Sequence, residues 1–309
     1  MTMQVLVLES EAAAYAAGLT DALGDVRVHT TLAAAGEAEV LVALAQSVTA
    51  GVVAALPRLR FIQALTTGTD PLDALALPPG ITIASARGLH GPQMAELAVL
   101  FMLAFSRDLR AMQHNQAQHR WVRWPQRLLL GRTAVLLGVG AIGEVVAARC
   151  QGFGMRVVGV SDGRSAAPGC DLMLPRRALT EAAAMADFLI VLLPLSPATE
   201  GLVGAAVLAA MQPDAVLINI ARGPVVDEAA LIAALAAGRP GGAGLDVFGT
   251  EPLPATSPLW DMPNVIVTPH IGGMSDVYAR QVLPLLLDNL RAWQAGRPDR
   301  LRNVVRITA

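Results

Sequence analysis

Hydrophobic and polar positions along this chain alternate between short apolar runs and longer stretches with the 3.6-residue spacing of amphipathic helices. The clearest instance is Leu137–Asp162. An apolar run, Thr133 to Leu137, leads into Gly138, Gly140 and Gly143; a helical pattern follows, then a second apolar run, Arg156 to Val160. Strand, glycine turn, helix and strand in that order predict a dinucleotide-binding unit. In such a unit Gly138 makes the tight turn, Gly140 lets a pyrophosphate approach the backbone, and Gly143 lets the helix sit on the strand. The helix start at Ala141 and Ile142 offers free N–H groups to phosphates.

The same alternation runs on both sides. Strands are predicted at 5–8, 26–30, 40–44, 61–65 and 81–84, with a helix over Glu11–Leu23 and Pro/Gly punctuation between, an α/β unit with a parallel sheet. After Asp162 come predicted strands at 188–192, 216–220, 243–247 and 265–268, and helices at 200–211, 228–237 and 277–295. Ligands of doubly wound sheets bind at the carboxyl ends of strands. Arg222, Asp246, Glu251 and His270 all fall on or just after such ends. Thr66-Thr67-Gly68-Thr69 is a small-residue turn after a strand, able to offer N–H groups to an anion. An apolar helix over 94–107 reads as a linker, and the polar excursion 110–132, with Trp121 and Trp124, reads as a partner surface.

Composition narrows the picture. Charge is nearly balanced, at −2, with no basic block, so neither nucleic acid nor a membrane surface is an expected partner. All 23 basic residues are Arg, which excludes Schiff-base chemistry and a lysine phosphate clamp. Two cysteines, an N-terminus without signal-peptide features and no charge-free apolar stretch of about 20 residues predict a soluble cytoplasmic protein. His114 and His119 lack carboxylate or cysteine company, so no metal site is expected.

Arg, Glu and His beside a dinucleotide pocket suit hydride transfer to a 2-keto acid. The planar fork of Arg222 can anchor the carboxylate and polarise the carbonyl. His270 can protonate the developing alkoxide as general acid, and Glu251 would orient the ring and favour the imidazolium.

At this point the chain resembles the D-isomer-specific 2-hydroxyacid dehydrogenase family. The matching segments are Gly138-Val139-Gly140-Ala141-Ile142-Gly143, Phe153–Val157, Leu193-Pro194-Leu195 with Thr199, Ile218–Gly223, Leu245–Phe248 with Glu251-Pro252-Leu253, and Thr268–Gly273. Gln93–Glu96 with Arg107 extends the match into the linking helix. The resemblance implies Arg222, Glu251 and His270 as the catalytic set, Asp246 as a partner of the nicotinamide carboxamide, and cofactor contacts from Leu193, Pro194, Thr199, Ile220, Ala221 and Gly272. It implies two doubly wound α/β domains: a Rossmann cofactor domain (94–276) inserted into a flavodoxin-like substrate domain (1–93 and 277–309). It also implies a homodimer joined through the cofactor domains, with the 110–132 excursion taking part.

Two features depart from the family pattern. Where NAD-using members carry Asp at the second strand end, Ser161 stands here, followed by Asp162 and Arg164. Serine followed by arginine resembles the NADP-using glyoxylate and hydroxypyruvate reductases, whereas Asp162 would repel a 2′-phosphate; NADP is the preferred cofactor, NAD the alternative. Thr66-Thr67-Gly68 replaces the more common Gly-Ala-Gly, so Thr67, Gly68 and Thr69 are candidate substrate contacts, with Arg87 in the following loop. The expected activity is reduction of a small, glyoxylate- or hydroxypyruvate-like 2-keto acid to the D-2-hydroxy acid. The alternatives are a phosphite dehydrogenase, disfavoured by the absent lysine, and a nucleotide-sensing, corepressor-like interaction protein. A long-type phosphoglycerate dehydrogenase would add a C-terminal regulatory domain, which is not expected here.

Overall fold

The computed structural model describes residues 2–308. The chain opens with β1 (Met3–Leu8), α1 (Ala12–Ala22), β2 (Val26–His29), β3 (Val40–Ala43), α2 (Ala50–Ala54), β4 (Phe61–Ala64) and β5 (Thr82–Ala84). It continues through α3 (Gly91–Ser106), α4 (Leu109–Ala117), β6 (Thr133–Leu137), α5 (Ala141–Gly152), β7 (Arg156–Val160), β8 (Leu172–Leu174), α6 (Leu179–Met185), β9 (Phe188–Val191), α7 (Ala205–Ala210), β10 (Val216–Asn219), α8 (Glu228–Ala236), β11 (Gly242–Leu245) and β12 (Val265–Val267). It closes with α9 (Tyr278–Gln294) and β13 (Val304–Ile307). Two compact units result: residues up to His90 with those from Met274 onward, and Gly91–Gly273.

The larger unit is a seven-stranded sheet in the order β12-β11-β10-β9-β6-β7-β8, every pair parallel. Strand order reverses between β6 and β9, the switch point at which doubly wound sheets bind ligands. Helices cover both faces, so the strands are continuous apolar runs rather than alternating ones. Successive residues of β6 still divide between two cores: Val135 and Leu137 join Leu179, Ala183 and Leu208, while Ala134 and Leu136 join Phe101, Val146 and Cys150. The predicted helix at 200–211 is shorter than expected. Its first four residues form a turn in which Val203 bridges to Val226, and the helix starts only after Gly204. Within the predicted 110–132 excursion, α4 covers the first part and irregular backbone the rest, and Arg110 donates to the carbonyls of Met262, Pro263 and Val265.

The smaller unit has a six-stranded sheet in the order β13-β5-β4-β3-β1-β2. Strands β1–β5 pair in parallel, as expected, in the flavodoxin-like order. The difference lies at the edge: β13 returns from the far end of the chain to pair antiparallel with β5. Val5 and Val7 pack with Tyr15 of α1 and Val282 and Leu286 of α9; Leu6 faces the other way, toward Val52 and Leu56.

Candidate functional site

The turn after β6 is a cradle built by omission of side chains. Gly138 has φ +102°, a conformation L side chains rarely adopt, and its N–H donates to Val160 O at 3.0 Å. A Cβ on Gly143 would lie 2.8 Å from the Gly138 carbonyl oxygen, so only glycine lets α5 sit this close to the strand. Gly140 faces open space, with no atom within 4 Å of where its Cβ would be, and no side chain caps α5. The first N–H groups of this 12-residue helix therefore have no side-chain cap and face the open side of the turn, the arrangement that suits an anion such as a pyrophosphate. Leu193, after β9, packs against Gly138. Thr199 is buried; its hydroxyl donates to Pro194 O (2.7 Å) and accepts from Ser196 N–H (2.8 Å), which fixes the Leu193–Pro194 turn rather than leaving Thr199 exposed as a contact.

At the end of β7 the charges are already paired. Asp162 accepts from the N–H and Nε of Arg176, at 2.8 and 2.6 Å, and these bonds hold its carboxyl below the usual carboxylate range. Arg164 donates through Nη1 to Glu144 of α5 (2.5 Å) and to Val139 O (3.2 Å). Ser161 Oγ accepts from Gly163 N–H. Arg176 carries no sequence signal; it follows β8, a three-residue edge strand too short to be read from an apolar run.

The segment after β10 is set by Asn219. Its Oδ1 accepts from Ala221 N–H and its Nδ2 donates to Arg222 O, which shapes the Ile220–Arg222 turn; Ile220 is buried. Arg222 Nη1 donates to Ala221 O at 2.8 Å. Next to it, an added Cβ on Gly223 would lie 1.9 Å from the carbonyl of Phe248, so the loop after β11 lies directly on the loop after β10.

Asp246 organises the loop after β12. It is buried, and accepts from Thr268 Oγ1 (2.6 Å), Ile271 N–H (3.0 Å) and Gly272 N–H (2.9 Å). The His270 N–H donates to Asp246 O. These bonds hold His270 at φ +52°, a left-handed conformation that costs a non-glycine residue roughly 1–3 kcal/mol and that the Asp246 brackets offset. Gly272 has no space for a side chain, because Asp246, Leu97 and Met94 close around it.

The strained backbone aims the His270 ring at Glu251. Nδ1 and Oε2 are 2.6 Å apart, and the other carboxylate oxygen accepts from Phe248 N–H at 3.0 Å. Gly249 N–H donates to Glu228, a further brace on the same loop. The Glu251 bond raises the His270 pKa, against burial and the nearby charge of Arg222. Burial alone would raise the Glu251 carboxyl, but the His270 and Phe248 bonds and the charges of His270 and Arg222 outweigh it and leave it lowered. The ring is 44% exposed, and with Nδ1 engaged, Nε2 is the nitrogen left for proton exchange. Arg222, Glu251 and His270, predicted from separate motifs, therefore form one electrostatic group.

In the smaller unit, the turn after β4 carries Thr67, Gly68 and Thr69. Thr66 Oγ1 donates to Gly68 O at 2.6 Å, and Thr67 Oγ1 is 2.8 Å from His90 Nδ1. Arg87 is exposed, its carbonyl accepting from Asn303. Among the described residues no group of three or more His, Cys, Asp or Glu side chains is placed to hold a metal, and no helix is long and apolar enough to cross a membrane.

The family model for the D-isomer specific 2-hydroxyacid dehydrogenase, NAD binding domain, matches residues 99–272, more than half of the chain. The chain belongs to this family. Among curated relatives, D-3-phosphoglycerate dehydrogenase of Mycobacterium tuberculosis is 39% identical over 249 residues, 78% of this chain. The match covers 46% of that relative, so the chain spans about half the length of the mycobacterial enzymes it resembles. A family member of solved structure from Aeromonas salmonicida subsp. salmonicida superposes with a TM-score of 0.92 at 32% identity, covering 99% of each chain. The NADPH-dependent glyoxylate/hydroxypyruvate reductase of Sinorhizobium meliloti, solved with NADP and sulfate, gives 0.82 at 27% identity over 98% of each chain.

Proposed function

We propose that this member of the family is an NAD(P)H-dependent reductase of a small, glyoxylate- or hydroxypyruvate-like 2-keto acid, yielding the D-2-hydroxy acid. The observation that carries the proposal is the His270–Glu251 pair, held beside the charge of Arg222 at the carboxyl edge of the sheet that carries the glycine cradle. A bound reduced nicotinamide would supply the hydride. The backbone at Gly138–Gly143 would hold its pyrophosphate, and Leu193, Pro194, Ala221 and Asp246 would line its nicotinamide side. Arg222 binds the substrate carboxylate and polarises the carbonyl. His270 donates the proton from Nε2 to the alkoxide oxygen, and Glu251 keeps the ring charged until it does. In the smaller unit, the Thr67–Thr69 turn is the proposed anion-binding segment for a keto acid.

The preferred cofactor in this proposal is NADPH. Ser161 leaves no carboxylate at the strand end for the ribose hydroxyls, and Asp162, which would repel a 2′-phosphate, is bound instead to Arg176. The relative from S. meliloti, which is NADPH-dependent, supports the choice. The proposal places the enzyme in the cytoplasm, where its two free cysteines stay reduced. It also makes the enzyme a homodimer, with Trp121 (94% exposed), Leu128 and Leu130 as covered surface.

The test is loss of reduced-nicotinamide absorbance with glyoxylate, hydroxypyruvate, pyruvate or phenylpyruvate, using NADPH and then NADH. Turnover with NADPH favoured is the expected result. Tight cofactor binding without turnover on any of the four would overturn the proposal.

A further inference from the structure

The turn after β4 is braced from below by two buried aromatic side chains that no motif marks. Tyr278, at the start of α9, donates its hydroxyl to Leu65 O, where the strand ends. His90 is 7% exposed, its ring 4.9 Å from that of Tyr278 and tilted 45° to it, and its Nδ1 meets Thr67 Oγ1 at 2.8 Å. The turn's carbonyls are held on both sides of Thr67: Thr66 O accepts from Ala86 N–H, Gly68 O from Thr66 Oγ1 and Thr69 O from Leu72 N–H. Among the described residues the N–H groups of Thr67, Gly68 and Thr69 donate to no protein acceptor. Thr67 lies between these braced carbonyls, and its side-chain tie runs to His90.

We infer that His90 is a positioning residue: by fixing the Thr67 hydroxyl in one rotamer, it holds the Thr67–Thr69 N–H groups in the arrangement that receives the keto acid. The inference rests on the proposed reductase activity and on this turn as its anion-binding segment. The physical basis is preorganisation. A half-buried threonine without a side-chain tie samples several rotamers and neighbouring peptide orientations, and ordering them on binding weakens affinity. A buried imidazole, packed against Tyr278, removes that freedom before the substrate arrives. Substrate and transition state share the contact, so its loss raises KM and spares kcat.

The side-chain geometries of Asn and Gln allow a direct test. The amide of Asn lies where the Nδ1 of histidine lies, and that of Gln lies near Nε2. His90→Gln therefore removes the bond to Thr67 while keeping a polar group at the far end, and His90→Asn keeps the bond. KM and kcat for the keto acid that the wild-type protein reduces, KM for the cofactor, and the thermal midpoint are measured for His90→Gln, His90→Asn, Thr67→Val and the double variant His90→Gln/Thr67→Val. His90→Gln and Thr67→Val are expected to raise the keto-acid KM about 3- to 10-fold, with kcat within about twofold and cofactor KM unchanged. His90→Asn should stay within about twofold of wild type, and the double variant should be no worse than the worse single one. If His90→Gln does not fold, His90→Phe, which keeps the ring against Tyr278 and removes the nitrogen, takes its place. A raised KM in Thr67→Val with none in His90→Gln, or additive losses in the double variant, overturns the inference and leaves the turn as the substrate's. Unchanged KM in both overturns the turn as substrate site as well. A wild-type protein that reduces no keto acid overturns the reductase reading itself, before any variant is made.

Discussion

Two loops at the same edge of the large sheet solve the same problem by opposite means. The turn after β6 and the loop after β12 both hold strained backbone, at φ +102° for Gly138 and +52° for His270. The first does so by deleting side chains; everything it needs is within Gly138–Gly143 and the strands beside it. The second keeps an imidazole side chain at its strained position, so its support must come from elsewhere: the buried carboxylate of Asp246, the Glu251 carboxylate and the close seat of Phe248 on Gly223. A backbone that only receives phosphates can be made of glycine. A backbone that must aim an imidazole needs partners, and these are spread over tens of residues of sequence.

The comparison can be broken by experiment. The largest effect is expected for His270→Ala: turnover should fall about 10²- to 10⁴-fold while the cofactor dissociation constant, read by nicotinamide fluorescence, stays within about twofold. A matching loss of cofactor affinity would mean the two loops are not separable. Gly223→Ala comes next. Its methyl would collide with the Phe248 carbonyl and move the loop that carries Glu251, and a displacement of about 1 Å at a reacting group costs on the order of 10²-fold. The kcat should drop by that order, with about 1–3 kcal/mol lost in urea unfolding.

Glu251→Gln sharpens the electrostatic part. Reduction needs the protonated ring, so the rate is full below the His270 pKa and falls as pH rises through it. Glu251 raises that pKa; the substitution should move the alkaline limb of the reduction profile to lower pH and cut the neutral-pH rate about 10-fold. The same sign governs stability. The raised histidine contributes fully below its unfolded pKa and loses its contribution as pH rises through the folded value. The lowered Glu251 contributes above its unfolded pKa and loses its share as pH falls through the folded value. The pair is thus strongest between the ordinary carboxylate and imidazole ranges, and denaturation midpoints across pH should converge for wild type and Glu251→Gln at both extremes. An unmoved alkaline limb would remove Glu251 from its tuning role.

The smallest effect belongs to the glycine side. Gly140→Ala has free space around it, so the thermal midpoint should hardly move, yet the methyl stands where a pyrophosphate would approach. A rise of about 10-fold in cofactor KM with unchanged kcat is expected. A changed kcat at saturating cofactor would show that the cradle also shapes the reacting end.

How much was legible follows the same division. The fold class was readable because a strand buried on both faces must be a continuous apolar run, and a helix over it must repeat every 3.6 residues. Arg222, Glu251 and His270 could be singled out because they fall together on or after strand ends of the sheet that carries the glycine turn; of the three only His270, between a proline and a glycine pair, has an odd local context. The antiparallel edge strand β13 was not readable, since strand direction depends on where the chain returns. Neither was the short β8, nor the delayed start of α7, where a bridge from Val203 to Val226 overrides helical spacing.

By itself, then, the sequence determined what is local: the strand–glycine–helix unit, the absence of lysine chemistry, and the residue types available at strand ends. Tertiary structure decided who meets whom. It paired Asp162 with Arg176, made Asp246 the bracket of the histidine loop, and set buried His90 against Thr67. The physical reason is range. Backbone conformation and hydrophobic period act over a few residues, while a hydrogen bond between residues 14, 26 or 23 positions apart, made by at least one side chain, exists only once the fold has brought them together.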